Sequence, residues 1–316
     1  MGPEVGKLKP IMSSQVIQTG PNKAPNIPLL PERRSQSYWQ GMLKRTFHSL
    51  QAVIGGLIVL FFALVAVFGP TLAPKSPTAM NMKANQRLAP PGGEFLLGTD
   101  DFGRDIFSRI LHGAGASFQV GIFSVGIALI IGTILGLLAG YQGGKLDGII
   151  MSLMDILFAF PAVLLAIAIM AVLGPTLNNV ILAIGIVNLP AFVRLTRGSV
   201  LSVKNLLYIE AAHGLGVPGP LIAFRHILPN IISPLIVQAS LTVAAAILTE
   251  ASLSYLGLGN PPPAPSWGNM LSSGYGFMQT SPWPAVFPGL AIMIAVLGFN
   301  LLGDGLRDAL DPTIKD

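Results

Sequence analysis

The sequence predicts an all-α, polytopic membrane protein with six transmembrane helices, and three observations predict it. Of its 316 residues 52% are hydrophobic and only 10% charged, and the mean hydropathy is +0.66; an ordinary water-soluble enzyme is excluded by that balance. Stretches long enough to cross a bilayer contain no Asp, Glu, Lys or Arg. Finally, the 36 glycines and 26 prolines lie among long apolar runs, where neighbouring helices can re-satisfy the backbone that they interrupt.

In chain order, residues 1–45 are polar and proline-rich and read as a cytoplasmic N-terminal tail rather than a signal peptide. Residues 51–68 make the first span. Residues 110–144 are free of formal charge, with a second span centred on 120–139. Residues 156–193 are also charge-free and long enough for two crossings, with Gly174, Pro175, Asn178 and Asn179 supplying the turn. From 226 to 303 the only formal charge is Glu250, and apolar runs at 231–249 and 285–302 are the fifth and sixth spans.

Basic residues set the orientation. With the N-terminus inside, the inner segments hold Lys7, Lys9, Lys23, Arg33, Arg34, Lys44, Arg45, Lys145, Arg194, Arg197, Lys204, Arg225, Arg307 and Lys315. That is 14, against 5 outside: Lys75, Lys83, Arg87, Arg104 and Arg109. The bias favours both termini in the cytoplasm. Trp267 and Trp283 at the last outer loop, with Tyr38 and Trp39 before the first span, are expected at the interfaces. The chain has no cysteine, which excludes disulfides, thiolate metal sites and cysteine nucleophiles.

Two connections carry information. In the outer one, 69–117, Thr99 or Asp100 can cap a short amphipathic surface helix with Phe102, Ile106 and Ile110 on one face. Asp101 with Arg104, and Asp105 with Arg109, have helical spacing for ion pairs. The inner one, 194–229, has a helix-forming run from 206 to 212, glycines at 214 and 216 able to end it, and Pro218 where a second helix can begin.

Glu210-Ala211-Ala212, then Gly216, then Leu228-Pro229 resembles the EAA loop of ABC-importer permeases, with His226 in place of the usual isoleucine and Ile227 one position late. The strings at 225–230, 98–109, 265–271 and 299–312 resemble signatures of the dipeptide, oligopeptide and nickel branch of that family. The resemblance covers about residues 40–316. It implies the type I ABC importer permease fold: a tail (1–45), a first helix and extracytoplasmic loop with its amphipathic helix (46–112), a five-helix permease core (113–304) and a cytoplasmic C-terminal tail (305–316).

The resemblance also implies a heteromeric importer in a bacterial-type inner membrane. Its partners are a second permease subunit, two ATP-binding cassette ATPase subunits and an extracytoplasmic substrate-binding protein, in a lipid bilayer and without nucleic acid. The cargo class is di- or oligopeptides or a related small solute. Glu210, Ala211, Ala212, Gly216, Phe224, Arg225, Leu228 and Pro229 are the expected ATPase-coupling loop. The chain has no GxxxxGK[ST] phosphate loop, so neither catalysis nor ATP binding is expected of it, and no cofactor or metal is called for. A secondary transporter and a non-transporting membrane scaffold are the competing classes.

Embedded polar residues remain. Asp155, about one turn inside the third span, reads as paired or snorkelling. For Glu250, with Thr249 and Ser252 beside it, a pathway or outer-gate role and a packed or solvated helix end are both open. Asn188 and Asn300 suit interhelical hydrogen bonds. Gly132, Gly136 and Gly140 recur every four residues, which suits close packing of the second span.

Overall fold

The computed structural model describes residues 46–83 and 86–310; the N-terminal tail, Tyr38, Trp39 and the last six positions lie outside that range. The first helix, α1 (Leu50–Leu72), starts at Ser49, whose hydroxyl accepts the Ala52 N–H at 3.4 Å. α2 (Ile106–Gln142) is capped by Asp105, whose carboxylate accepts both the N–H (2.8 Å) and the hydroxyl (2.6 Å) of Ser108. α3 (Gly144–Phe158) and α4 (Ala162–Leu173) meet at a 91° bend. α5 (Leu177–Val203) is followed by the short α6 (Leu207–Gly214) and α7 (Gly219–Ile222). A π-helical turn, Ala223–Ile227, leads directly into α8 (Leu228–Tyr255). α9 (Trp267–Tyr275) and α10 (Trp283–Leu310) complete the described chain.

Among the described residues five helical segments are long and apolar enough to cross a membrane, and α3 with α4 makes a sixth if the bent pair is one span. Helix direction decides that it is. A Cβ on Gly132, Gly136 or Gly140 would stand 2.5, 2.5 and 2.8 Å from the Cβ of Phe192, Thr196 and Val200. The two series rise together, so α2 and α5 run parallel. The chain between them must therefore return across the bundle, and only α3 and α4 are there to do it. Elsewhere the pairing is antiparallel: Gly69 lies on Leu111, Gly305 on Ala52, Gly298 on Ile58, and Gly121 on Ile247. Six crossings alternate in direction. The start of α1 and the end of α10 lie on one side, the terminal side.

Aromatic rings join the helices at the core. Phe62 of α1 stacks with Phe118 of α2 (6.4 Å between centroids) and meets Trp267 of α9 edge-on (5.5 Å). Phe118 also touches Phe299 of α10 at 5.5 Å. Trp267 was an interfacial residue by composition, yet it is fully buried. Its indole N–H donates to the Ile110 carbonyl at 3.1 Å, so the buried polar edge is satisfied.

Other expectations are corrected. No separate surface helix is capped by Thr99 or Asp100: Gly103 has a φ of +72°, left-handed backbone that breaks any helix there, and helical structure begins at Ile106 as the first turn of α2. The third crossing is not one straight helix, because Pro161 has no N–H to give the helix and its ring opposes the helical conformation of Phe160. Asn188 donates to Ile184 in its own helix at 2.8 Å, not across to another.

Candidate functional site

The longest terminal-side connection between crossings runs from α5 to α8, and its conformation follows from one glycine. Gly216 has a φ of +76°, the left-handed geometry that ends a helix at least cost when the residue lacks a Cβ. Val217 N–H donates to Ala212 O at 3.1 Å and Gly216 N–H to His213 O at 2.9 Å. This is the paired bond pattern of a Schellman termination, with Val217 and Ala212 both packed against the core.

α6 then divides into two faces. Inward, Ile209 is fully buried, and His213 stacks on Tyr141 at the end of α2 (6.1 Å) with a 3.3 Å contact from ring nitrogen to phenol oxygen. Asn230 of α8 donates to the Tyr208 hydroxyl at 3.2 Å, and Ile222 and Ile227 are fully buried below. Outward, Leu207 and Leu215 are each 84% exposed and Phe224 61%. Glu210, Ala211, Gly216, Arg225 and Pro229 are also exposed, while Ala212 and Leu228 are half-buried. Six of the eight predicted coupling residues lie on this connection, and Leu228 and Pro229 open α8 at its end. The site also takes in the exposed Leu207 and Leu215, Tyr208, and beside them Tyr141 of α2 and Asn230 of α8.

Ion pairs fix the neighbouring helices. Arg197 of α5 holds Asp147 of α3 with two bonds, 2.5 and 2.6 Å, the fork geometry that guanidinium and carboxylate share. Arg194 reaches Asp155 at 2.6 Å, so the embedded aspartate is paired as its sequence setting suggested. The Lys204 ammonium donates to the Gly140 carbonyl at 3.0 Å.

Glu250, Thr249 and Ser252 are not brought together. The Glu250 carboxyl is buried between α2 and α8, accepting from Ser117 at 3.0 Å and Ser254 at 2.7 Å. Thr249 and Ser252 bond back to Ala245 and Leu248 of their own helix. Glu250 is thereby packed as a clasp between two crossings.

On the opposite side the 73–105 connection folds around a charge cluster. Asp100 accepts from Arg104 Nε at 2.6 Å and lies 3.6 Å from Arg109 Nε, whereas Asp101 is 3.8 Å from Arg104. Arg109 therefore faces Asp100 and the Pro77 carbonyl (2.7 Å) rather than the helically spaced Asp105, which is engaged as a cap. Burial, and next the Asp100 charge, pushes the Asp101 carboxyl above its ordinary pKa. The Lys75 ammonium, 2.6 Å away, holds Glu94 below its own.

Comparisons with known proteins give this arrangement its class. Residues 132–316 match the family described as binding-protein-dependent transport system inner membrane component. Residues 37–91 match the N-terminal TM domain of oligopeptide transport permease C. The dipeptide transport system permease protein DppC of Alkalihalophilus pseudofirmus is 48% identical over 309 residues, covering 97% of this chain and 98% of that one. The glutathione transport system permease protein GsiD of Pectobacterium atrosepticum is 47% identical over 290 residues, covering 92% and 96%. A chain of the MetNI methionine ABC transporter, solved in inward-facing conformations, shares the fold at a TM-score of 0.54 and 18% identity, over 64% of this chain and 97% of that one.

The molecule is a multi-pass membrane transport permease. It belongs to the binding-protein-dependent transport system inner membrane component family, the membrane-spanning permeases of ABC importers.

Proposed function

We propose that the chain is one half of the translocation pathway of an ATP-driven importer for di- or oligopeptides, or for a related small solute such as glutathione. A second permease subunit supplies the other half, two ATPase subunits sit on the cytoplasmic face, and an extracytoplasmic binding protein delivers cargo. The terminal side is cytoplasmic in this reading, supported by the basic bias of its segments. The domain division keeps the boundaries read from the sequence, at 45, 112 and 304, without a separate amphipathic helix before α2.

The observation that carries the reading is the outward face of α6. Large apolar side chains left exposed on a connection, Leu207, Leu215 and Phe224 here, are costly in water and suit a partner groove, the way an amphipathic helix is seated. ATP energy released in another subunit reaches the crossings only through a contact that differs between states, and α6 is joined to α8 through α7 and the π-helical turn. Glu210 and Arg225 offer polar contacts at its rim. Ala211, Ala212 and Gly216 allow close approach. The chain itself hydrolyses no ATP.

Uptake of a labelled dipeptide and of labelled glutathione, in cells with and without the chain, tests the function. Uptake of at least one should fall on deletion and return with the chain. Unchanged uptake of both, and of longer peptides, would contradict the cargo class.

A further inference from the structure

The crossing made by α3 and α4 is broken inside its apolar part. Residues 159–161 form the 91° corner, and every residue from 158 to 164 is exposed on this chain. A broken helix leaves carbonyls in the last turn of α3 and N–H groups in the first turn of α4 without helical partners. Hydrocarbon supplies no partners either, so irregular backbone at membrane depth persists only where protein covers it or where it lines water.

A second observation falls at the same place and separates those alternatives. Arg194 and Asp155 pair at 2.6 Å with the Asp155 side chain 64% and the Arg194 side chain 37% exposed, and the guanidinium lies 4.3 Å from the Phe158 ring centroid at the corner. These two residues bound the charge-free run 156–193, so the pair closes that run on itself. Arg194 stands roughly 13 Å along α5 from Val203, at about 1.5 Å per residue. An ion pair open to hydrocarbon at that depth is expensive, whereas one open to a water-filled cavity is not. The outward face of α1, with Leu57, Leu60, Phe61 and Leu64, differs on both counts: its helix is unbroken and it carries no charge.

Resting on the permease reading above, we propose that the corner at 159–161 and the Asp155–Arg194 pair form the wet wall of the translocation pathway, which the second permease subunit closes from the opposite side. The cargo suited to this wall is polar and amide-bearing. Free backbone groups at the corner, and charge of both signs below it, can exchange hydrogen bonds with a peptide in passage.

The native chain is free of cysteine, so single Phe160→Cys, Ala159→Cys and Phe61→Cys variants can be made in the assembled transporter in membranes. The probe is a charged, water-borne methanethiosulfonate, with labelled dipeptide uptake measured on the same preparations. Because the thiolate is the reactive form and needs water, Phe160→Cys and Ala159→Cys should react at least about tenfold faster than Phe61→Cys. Rates no faster than that of Phe61→Cys, in variants of normal abundance, would overturn the wet wall and leave a dry subunit contact in its place. Fast labelling in cells that import none of the peptides offered would keep the wet wall and overturn the peptide reading instead.

Discussion

Gly136 of α2 and Thr196 of α5 touch so closely that a Cβ on the glycine would stand 2.5 Å from the threonine Cβ and 2.6 Å from the Val193 carbonyl oxygen. Together with its neighbours one turn above and below, this contact makes the two helices parallel and forces the bent pair between them to count as a crossing. Gly136→Leu should therefore destabilise the bundle by about 1–3 kcal/mol or more through overpacking. Gly126, in the same helix, faces open space, and Gly126→Ala should be neutral. Membrane abundance and thermal inactivation in detergent would check this, and equal behaviour of the two variants would contradict the parallel seam.

The Glu250 clasp predicts a graded series. Glu250→Gln keeps acceptor and shape between Ser117 and Ser254 and should be tolerated. Glu250→Ala leaves a cavity and two buried hydroxyls without partners, a loss of about 2–4 kcal/mol. Thermal unfolding of the purified transporter distinguishes the two; equal losses would argue against hydrogen bonding as the role of the residue.

Asp101 predicts a pH dependence. Its carboxyl is held above the ordinary value of 3.8, so at neutral pH its ionised form is disfavoured in the folded loop. Asp101→Asn removes that cost. The gain should be full above the raised pKa, shrink as pH falls through it, and vanish only well below 3.8, where the carboxyl is protonated in folded and unfolded chains alike. Unfolding midpoints at about pH 8 and about pH 2.5 measure it; a difference of the same size at both would refute the assignment.

Gly216 predicts a split between backbone and surface. A Cβ there meets open space, so the penalty comes from the left-handed backbone: Gly216→Ala should cost about 1–2 kcal/mol. Gly216→Trp adds bulk to the docking face. It should lose ATPase copurification and uptake beyond what Gly216→Ala loses, with membrane insertion kept. Glu210→Ala, which alters no backbone, should weaken coupling alone. Equal effects of Ala and Trp at Gly216 would mean that the glycine only ends a helix.

Much of this was legible in the sequence because it depends on local or periodic signals. The four-residue glycine spacing announced the α2 seam, and the glycines around 214–216 announced the end of α6. What escaped depends on tertiary register. Asp155 meets Arg194 and Asp147 meets Arg197 only because α5 lies beside α3, and no spacing rule reaches across 39 or 50 residues. The short surface helix was misplaced for a different reason: Thr99 and Asp100 both look like caps, and only the φ of Gly103 shows that no helix starts there. Trp267 looked interfacial because its burial is created by α1 and α2, far away in the chain.

The central claim is that the outward face of α6 seats in an ATPase subunit, and Leu215→Glu tests it most directly. Leu215 is 84% exposed and anchors nothing within the chain, so the substitution should leave fold and membrane abundance unchanged. A charge placed in a buried interface should cost roughly 2 kcal/mol or more of docking free energy. The account predicts normal abundance of the Leu215→Glu variant with loss of both ATPase copurification and peptide uptake. Normal copurification and normal uptake at normal abundance would contradict it.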